Sequence, residues 1–301
     1  MAQKTNLNVS PYFDDYDPID NFYKVLFKPG FPVQARELNN LQSILQNQIE
    51  NFGDHFFKDG SVVIPGGLSY DNEYFSVKIN SEFLGIPVST YADNFIGTVI
   101  RGQTTQVTAR VVNVLSAEDS DDGELTLYVK YINSNDDGED VSFIESELLL
   151  AEENVVYGNT TITEGSSFAQ VVSDNATAIG SAISIAEGVY FVRGYFVNVY
   201  SQTIILDQYT NEPSYRIGLS IIERTVNANE DETLFDNARG FNNYSAPGAD
   251  RFQFELKLIK KDIDDIDDRS FVELLRLNEG ITEKSEQKTQ YNIIKDYFIQ
   301  Y

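Results

Sequence analysis

The sequence predicts a mainly β protein, α+β at its N-terminus, in which an arm and one amphipathic helix precede several small β-sandwich or β-barrel modules. Three observations predict it. A single helical apolar period lies near the front of the chain, and alternating runs rich in β-branched and aromatic residues fill most of the rest. Tyr (18) and Phe (20) are plentiful in a chain without Trp, a composition that favours strands.

The helical stretch is PGFPVQARELNNLQSILQNQIENFGDHFFKD, residues 29–59. Leu38, Leu41, Leu45, Ile49 and Phe52 recur at spacings of 3, 4, 4 and 3, which is one face of a helix. Pro29 and Pro32 keep the approach extended, and Gly53 supplies a stop after the last apolar residue. Asn39, Asn40, Gln42, Gln46, Asn47 and Gln48 make the remaining surface rich in amides. Amides form directional hydrogen bonds without net charge, and a polar residue in a helical seam can fix register and copy number. The five apolar residues are therefore the expected interface between copies. The competing reading is a single helix lying on its own domain's sheet.

Residues 1–28 read as an extended docking arm with Tyr12, Phe13, Tyr16, Phe22 and Tyr23 as anchors, or as a segment packed on its own core. Residues 29–80 hold the helix and first strands, with GSVVIPGG (60–67) and NEYFSVKI (72–79) extended. Residues 81–153 read as an inserted small β domain, with strands near 95–101, 104–115 and 124–132 separated by acidic turns. SFIESELLLAE (142–152) fits either a last strand or a short helix. Residues 154–301 form a β-rich C-terminal domain. There GVYFVRGYFVNVYSQTIIL (188–206) predicts two strands around a turn or bulge at Gly194, and 213–226 and 252–261 predict two more. Residues 270–277 fit a strand or a helical turn, and 288–301 are amphipathic.

The chain has 301 residues and no Cys, so a disulfide framework, a zinc–thiolate site and a thiol nucleophile are excluded. The first residues lack a secretory pattern, and no apolar run approaches the ~18 residues of a membrane span. A soluble protein made in a cytoplasm is expected. Forty-seven acidic residues against 22 basic give a net charge of −25. That field repels phosphate backbones, so no nucleic-acid partner is expected, and assembly must rely on well-packed interfaces.

Catalytic patterns are sparse. His55 is the single histidine, it stands beside Phe56 and Phe57, and no GxSxG, Walker, HExxH or Rossmann motif appears. Asn133, Asn135, Asp137 and Gly138 occupy positions 1, 3, 5 and 6 of an EF-hand-like loop. The pattern breaks at position 12, which is Ile144 with Glu145 one place late, and a hairpin tip turning at Asp137-Gly138 fits better. Asp119, Asp121, Asp122 and Glu124 form a second acidic tip, read as solvated. In NNYSAPGADR (242–251), Asp250 and Arg251 are a candidate loop brace, pairing with each other or holding an adjacent backbone. No catalytic residue, metal or cofactor is assigned.

Three passages, 29–53, 188–226 and 236–258, together resemble a family of unknown-function domains found in virion structural proteins of contractile-tailed phages, notably those of marine cyanobacteria. The resemblance spans nearly the whole chain. It implies a tail, baseplate or fibre-adaptor component without enzymatic activity, assembled in the host cytoplasm and located in the virion. Homotrimers are common among such proteins, so a homotrimer contacting other tail or baseplate proteins is expected, with the host surface reached through other chains. A receptor- or glycan-binding fibre module is the alternative, and a carboxylate-pair polysaccharide hydrolase a more distant one.

Overall fold

One α-helix and nineteen strands make up the computed structural model, which describes residues 3–134, 141–240, 242, 244–285 and 291. The helix, α1, spans Ala35–Gly53. The strands are β1 (Ser61–Ile64), β2 (Leu68–Ile79), β3 (Glu82–Phe83), β4 (Ile86–Pro87), β5 (Val99–Gly102), β6 (Thr108–Leu115) and β7 (Leu125–Asn133), then β8 (Leu148–Ala151), β9 (Val155–Tyr157), β10 (Thr160–Ile162), β11 (Ser167–Gln170) and β12 (Thr177–Ile185). The remainder are β13 (Gly188–Val192), β14 (Tyr195–Val199), β15 (Gln202–Asp207), β16 (Tyr215–Val226), β17 (Arg251–Asp262), β18 (Phe271–Asn278) and β19 (Ile281–Ser285). Both ambiguous stretches resolve as strands, β8 and β18. Residues 135–140 of the EF-hand-like loop and, apart from Tyr291, the amphipathic segment 288–301 fall outside the described residues.

The protein is mainly β and its sheets are antiparallel. Eight strands run in the order β11-β8-β5-β6-β7-β2-β12-β15, four in the order β17-β16-β18-β19, and three in the order β1-β13-β14. A bridge between Ile79 and Val171 ties β2 to the residue after β11, and among the described residues no barrel closes.

Strand β2 explains how the modules join. Its C-terminal end, Val77 and Ile79, enters a core that continues through Phe95, Ile100, Leu127, Leu149 and Phe168 to Ala176. Its N-terminal end, Leu68 and Tyr70, packs on a second core built from Val62, Ile183, Tyr190, Ile217, Leu258 and Leu275. The first core therefore runs past the boundary expected at 153, through β9, β10 and β11. One face of the sheet carries a third cluster in which Tyr74 stacks on Tyr128 with ring centroids 4.7 Å apart. Burial pushes the Tyr74 hydroxyl up to about 12.

The small-residue run of β12 follows from its place between two partner strands near the edge of this sheet. It pairs with β2 on one side and β15 on the other. A Cβ on Gly180 would stand 2.6 Å from the Gln208 carbonyl oxygen, and Ser181 and Ala182 are buried. Larger side chains would hold the backbones apart.

Candidate functional site

Helix α1 lies on the body with its polar side inward. Gln46 Nε2 donates to the Gly194 carbonyl at 2.7 Å, and Asn39 Nδ2 donates to the Tyr12 carbonyl at 2.8 Å. Asn40 Nδ2 donates to Asp14 at 2.9 Å, Ser43 Oγ donates to the same carboxylate, and the Tyr16 hydroxyl donates to Asn47 at 3.2 Å. Ser43, Asn47 and Glu50 are buried. Asn39, Asn40 and Asn47 therefore hold residues 12–16 of their own chain and Gln46 holds Gly194, which corrects the expectation that these four line a seam between copies; Gln42 and Gln48 are exposed.

The turn that receives the helix is Arg193-Gly194, with φ of 48° and 80°, joining β13 to β14 where Val192 pairs with Tyr195. Two consecutive positive φ values give a type I′ hairpin turn, which favours Gly. A Cβ on Gly194 would also stand 2.8 Å from Glu50 Cγ. Gly53 closes the helix against Phe191, whose ring would lie 2.4 Å from an added Cβ. Its role is close packing: it is the last residue of α1, and the cap falls on Asp54 rather than on a left-handed glycine.

The apolar face points the other way. Leu38, Leu41, Leu45, Ile49 and Phe52 are exposed, from 36% at Leu41 to 65% at Phe52, whereas Ile44 is buried. All five expected interface residues thus share one outward stripe, and the helix does not lay its apolar face on its own sheet.

The N-terminal arm divides in two. Residues 3–16 are tied to the body: Gln3 accepts from the Tyr195 hydroxyl at 3.0 Å, and the Thr5 N–H donates to Glu223 at 2.7 Å. From Asp17 to Arg36 every residue except Val25 is exposed. Phe22, Tyr23, Leu26, Phe27, Phe31 and Val33 are among them. Of the five expected anchors, Tyr12 and Tyr16 bind the body, while Phe13, Phe22 and Tyr23 are exposed.

Beneath the arm sits a buried ion pair that sequence reasoning missed. Arg193 donates to Glu223, and its other amino group donates to Ser270 Oγ at 3.0 Å. Lys4 N–H and both Thr5 donors converge on the same carboxylate. Burial alone would raise the Glu223 carboxyl, but these donors and Arg193 outweigh it and hold the group below its ordinary value. No local motif signals this site, because Thr5 and Glu223 are 218 positions apart. Glu147, also buried, was missed for the same reason: it accepts from Thr104 N, Thr105 N and Thr105 Oγ1, more than 40 positions away.

The side chains of Asp250 and Arg251 do not pair; Arg251 Nη1 reaches only the Asp250 backbone carbonyl, at 3.4 Å. Asp250 accepts from the Tyr12 hydroxyl at 2.5 Å, and Arg251 Nη1 donates to the Ala249 carbonyl at 2.7 Å. The loop thus braces its own backbone and the arm. Between them lies a cleft of about 510 Å³ whose walls include Gln42, Tyr195 and Phe252. His55 is exposed, so packing on its neighbours does not account for it. The acidic tip is more than solvated: Asp122 pairs with Lys78 at 2.5 Å and accepts from Tyr209 at 2.7 Å. Among the described residues no three acidic or histidine side chains are grouped to hold a metal, and no helix is long and apolar enough to cross a membrane.

The model of a family described as a domain of unknown function, DUF4815, matches residues 10–128 and 139–301. The chain belongs to this family. No curated protein and no solved structure matches it. The matched DUF4815 region takes in the exposed arm, α1 and both cores, so the outward stripe lies within the family domain.

Proposed function

We propose that this DUF4815 protein is a virion structural component of a contractile-tailed phage, a tail, baseplate or fibre adaptor that acts through homo-oligomeric assembly, with a trimer as the working unit and no catalytic turnover. The observation that carries the assembly reading is the exposure of all five residues of the α1 stripe. Burying each Leu of that stripe between copies contributes about 1.5–3 kcal/mol. The supply of apolar area suits a chain of net charge −25, since association between such chains must outweigh mutual repulsion. The phage setting rests on the resemblance of residues 29–53, 188–226 and 236–258 to domains of virion structural proteins.

The test of the setting is mass spectrometry of purified particles of the phage that encodes the chain, after separation of heads from tails. The reading requires the protein in the tail fraction at a fixed copy number. Its absence from purified particles would contradict it.

A further inference from the structure

We propose that residues 18–33 of each copy lie along the α1 stripe of a second copy, so that the oligomer is held by exchanged arms. The inference rests on the assembly reading and specifies what covers the stripe. Among the described residues two exposed apolar surfaces stand out: the stripe and the arm carrying Phe22, Tyr23, Leu26, Phe27, Phe31 and Val33. Among the described residues, the hydrogen bonds of residues 18–31 are local, such as Tyr23 to Asn21 and Phe31 N to the Lys28 carbonyl.

Charge selects a second copy as the occupant. Residues 21–34, NFYKVLFKPGFPVQ, contain Lys24 and Lys28 and no Asp or Glu, in a chain with 47 acidic and 22 basic residues. A cationic, aromatic segment is matched to an acidic surface, and its own kind supplies one. Glu37 and Asp54 stand near the two ends of the receiving stripe.

Length and stiffness agree with this. The stripe from Leu38 to Phe52 extends ~21 Å along the helix, and residues 22–33 span up to ~36 Å when extended. Pro18, Pro29 and Pro32 disfavour helix in the arm. Its two ends are fixed to the body, through Tyr16 on Asn47 and through Gln34 N–H on the Glu37 carboxylate at 2.9 Å. The segment between them is presented outward, opening on a 3-10 turn at Pro18–Asp20 and turning again at Lys28–Phe31.

The absence of native Cys makes the test direct. Full-length Leu26→Cys and Leu45→Cys chains, carrying different tags, are co-expressed, oxidised and resolved without reductant. Exchange predicts a disulfide-linked pair carrying both tags, at least tenfold more abundant than either same-tag pair. Predominant Leu45→Cys to Leu45→Cys linkage would show stripe on stripe, overturning the exchange while leaving the assembly reading intact. Oligomers without any linkage between the two tags would do the same. A Leu26→Cys/Leu45→Cys chain that closes only on itself would place the arm on its own helix and overturn the proposal. As a second measurement, Phe22→Asp/Leu26→Asp is expected to dissociate the oligomer as fully as Leu41→Asp does. Oligomer retained by the arm variant but lost in Leu41→Asp would overturn the exchange alone, and a monomeric wild type would overturn both.

Discussion

The Gln46 side-chain amide donates to the Gly194 carbonyl across 2.7 Å, and this bond helps set which way the helix faces. A helix on the surface of a globular domain ordinarily turns its apolar stripe to the core and its polar residues to water. Here the polar groups are satisfied by a hairpin turn and by residues 12–16, and the apolar stripe is left outward. The arrangement makes chemical sense when another surface covers the stripe.

The contact between helix and hairpin predicts two sensitive glycines. Gly194→Ala places a Cβ at positive φ and 2.8 Å from Glu50, and Gly53→Ala places one 2.4 Å from the buried Phe191 ring. Each is expected to destabilise the fold by about 1–3 kcal/mol, read as a lower denaturant midpoint. An unchanged midpoint for both would mean that α1 does not rest on the Arg193-Gly194 turn.

Charge placed on the stripe is expected to act on assembly and spare the fold. Leu41→Asp and Leu45→Asp should dissociate the proposed oligomer, while the protomer's thermal stability, measured under conditions where both proteins are monomeric, changes by only about 0.5 kcal/mol because the positions are exposed. Circular dichroism melts together with light scattering separate the two effects. A protomer unfolded by either substitution would indicate that the leucines are internal.

Glu223 gives the pH dependence a sign. Its folded carboxyl titrates below its ordinary value of 4.5, so the stability it contributes is fully present above that value and is lost as pH falls through the lower folded value. Acid should therefore loosen residues 4–5 along with the Arg193 pair, seen as a lower protection factor, exchange relative to the intrinsic rate at that pH, for the Thr5 N–H. Glu223→Gln leaves Arg193 buried without a charged partner and is expected to cost about 3–5 kcal/mol. It should also flatten the acid limb of the stability profile. An acid limb unchanged by the substitution would assign it to other carboxylates.

Glu147 offers an independent check on the first core. Its carboxylate accepts from the Thr104, Thr105 and Ile144 backbone N–H groups. Glu147→Ala strands buried donors at about 1–3 kcal/mol for each one that finds no other acceptor. A fall in the thermal midpoint is expected, and no fall would mean that water replaces the carboxylate.

Much of the fold was legible because strand and helix periods are local. The run 213–226 becomes β16, and 188–206 turns at Arg193-Gly194 as Gly194 predicted, but it forms three strands where two were expected, because β15 leaves the β13–β14 hairpin to pair with β12. The Leu38 to Phe52 period correctly marked a helix, but a period only says that one face is apolar. Which face meets the body was decided by Asp14, Tyr12 and Gly194, through hydrogen bonds between short segments that carry no periodic signal. The extent of the first core was obscured for a related reason. The break expected at 153 falls between β8 and β9, which contribute Leu149, Ala151 and Val155 to one cluster. The buried pair of Arg193 and Glu223 was invisible because its members and donors come from three distant parts of the chain.

Sedimentation equilibrium of the wild-type protein at micromolar concentration tests the central claim most directly. If the α1 stripe is covered by another copy, the protein should sediment as a multiple of its 34.0 kDa chain mass, with three copies expected. A single species at 34.0 kDa would contradict the claim.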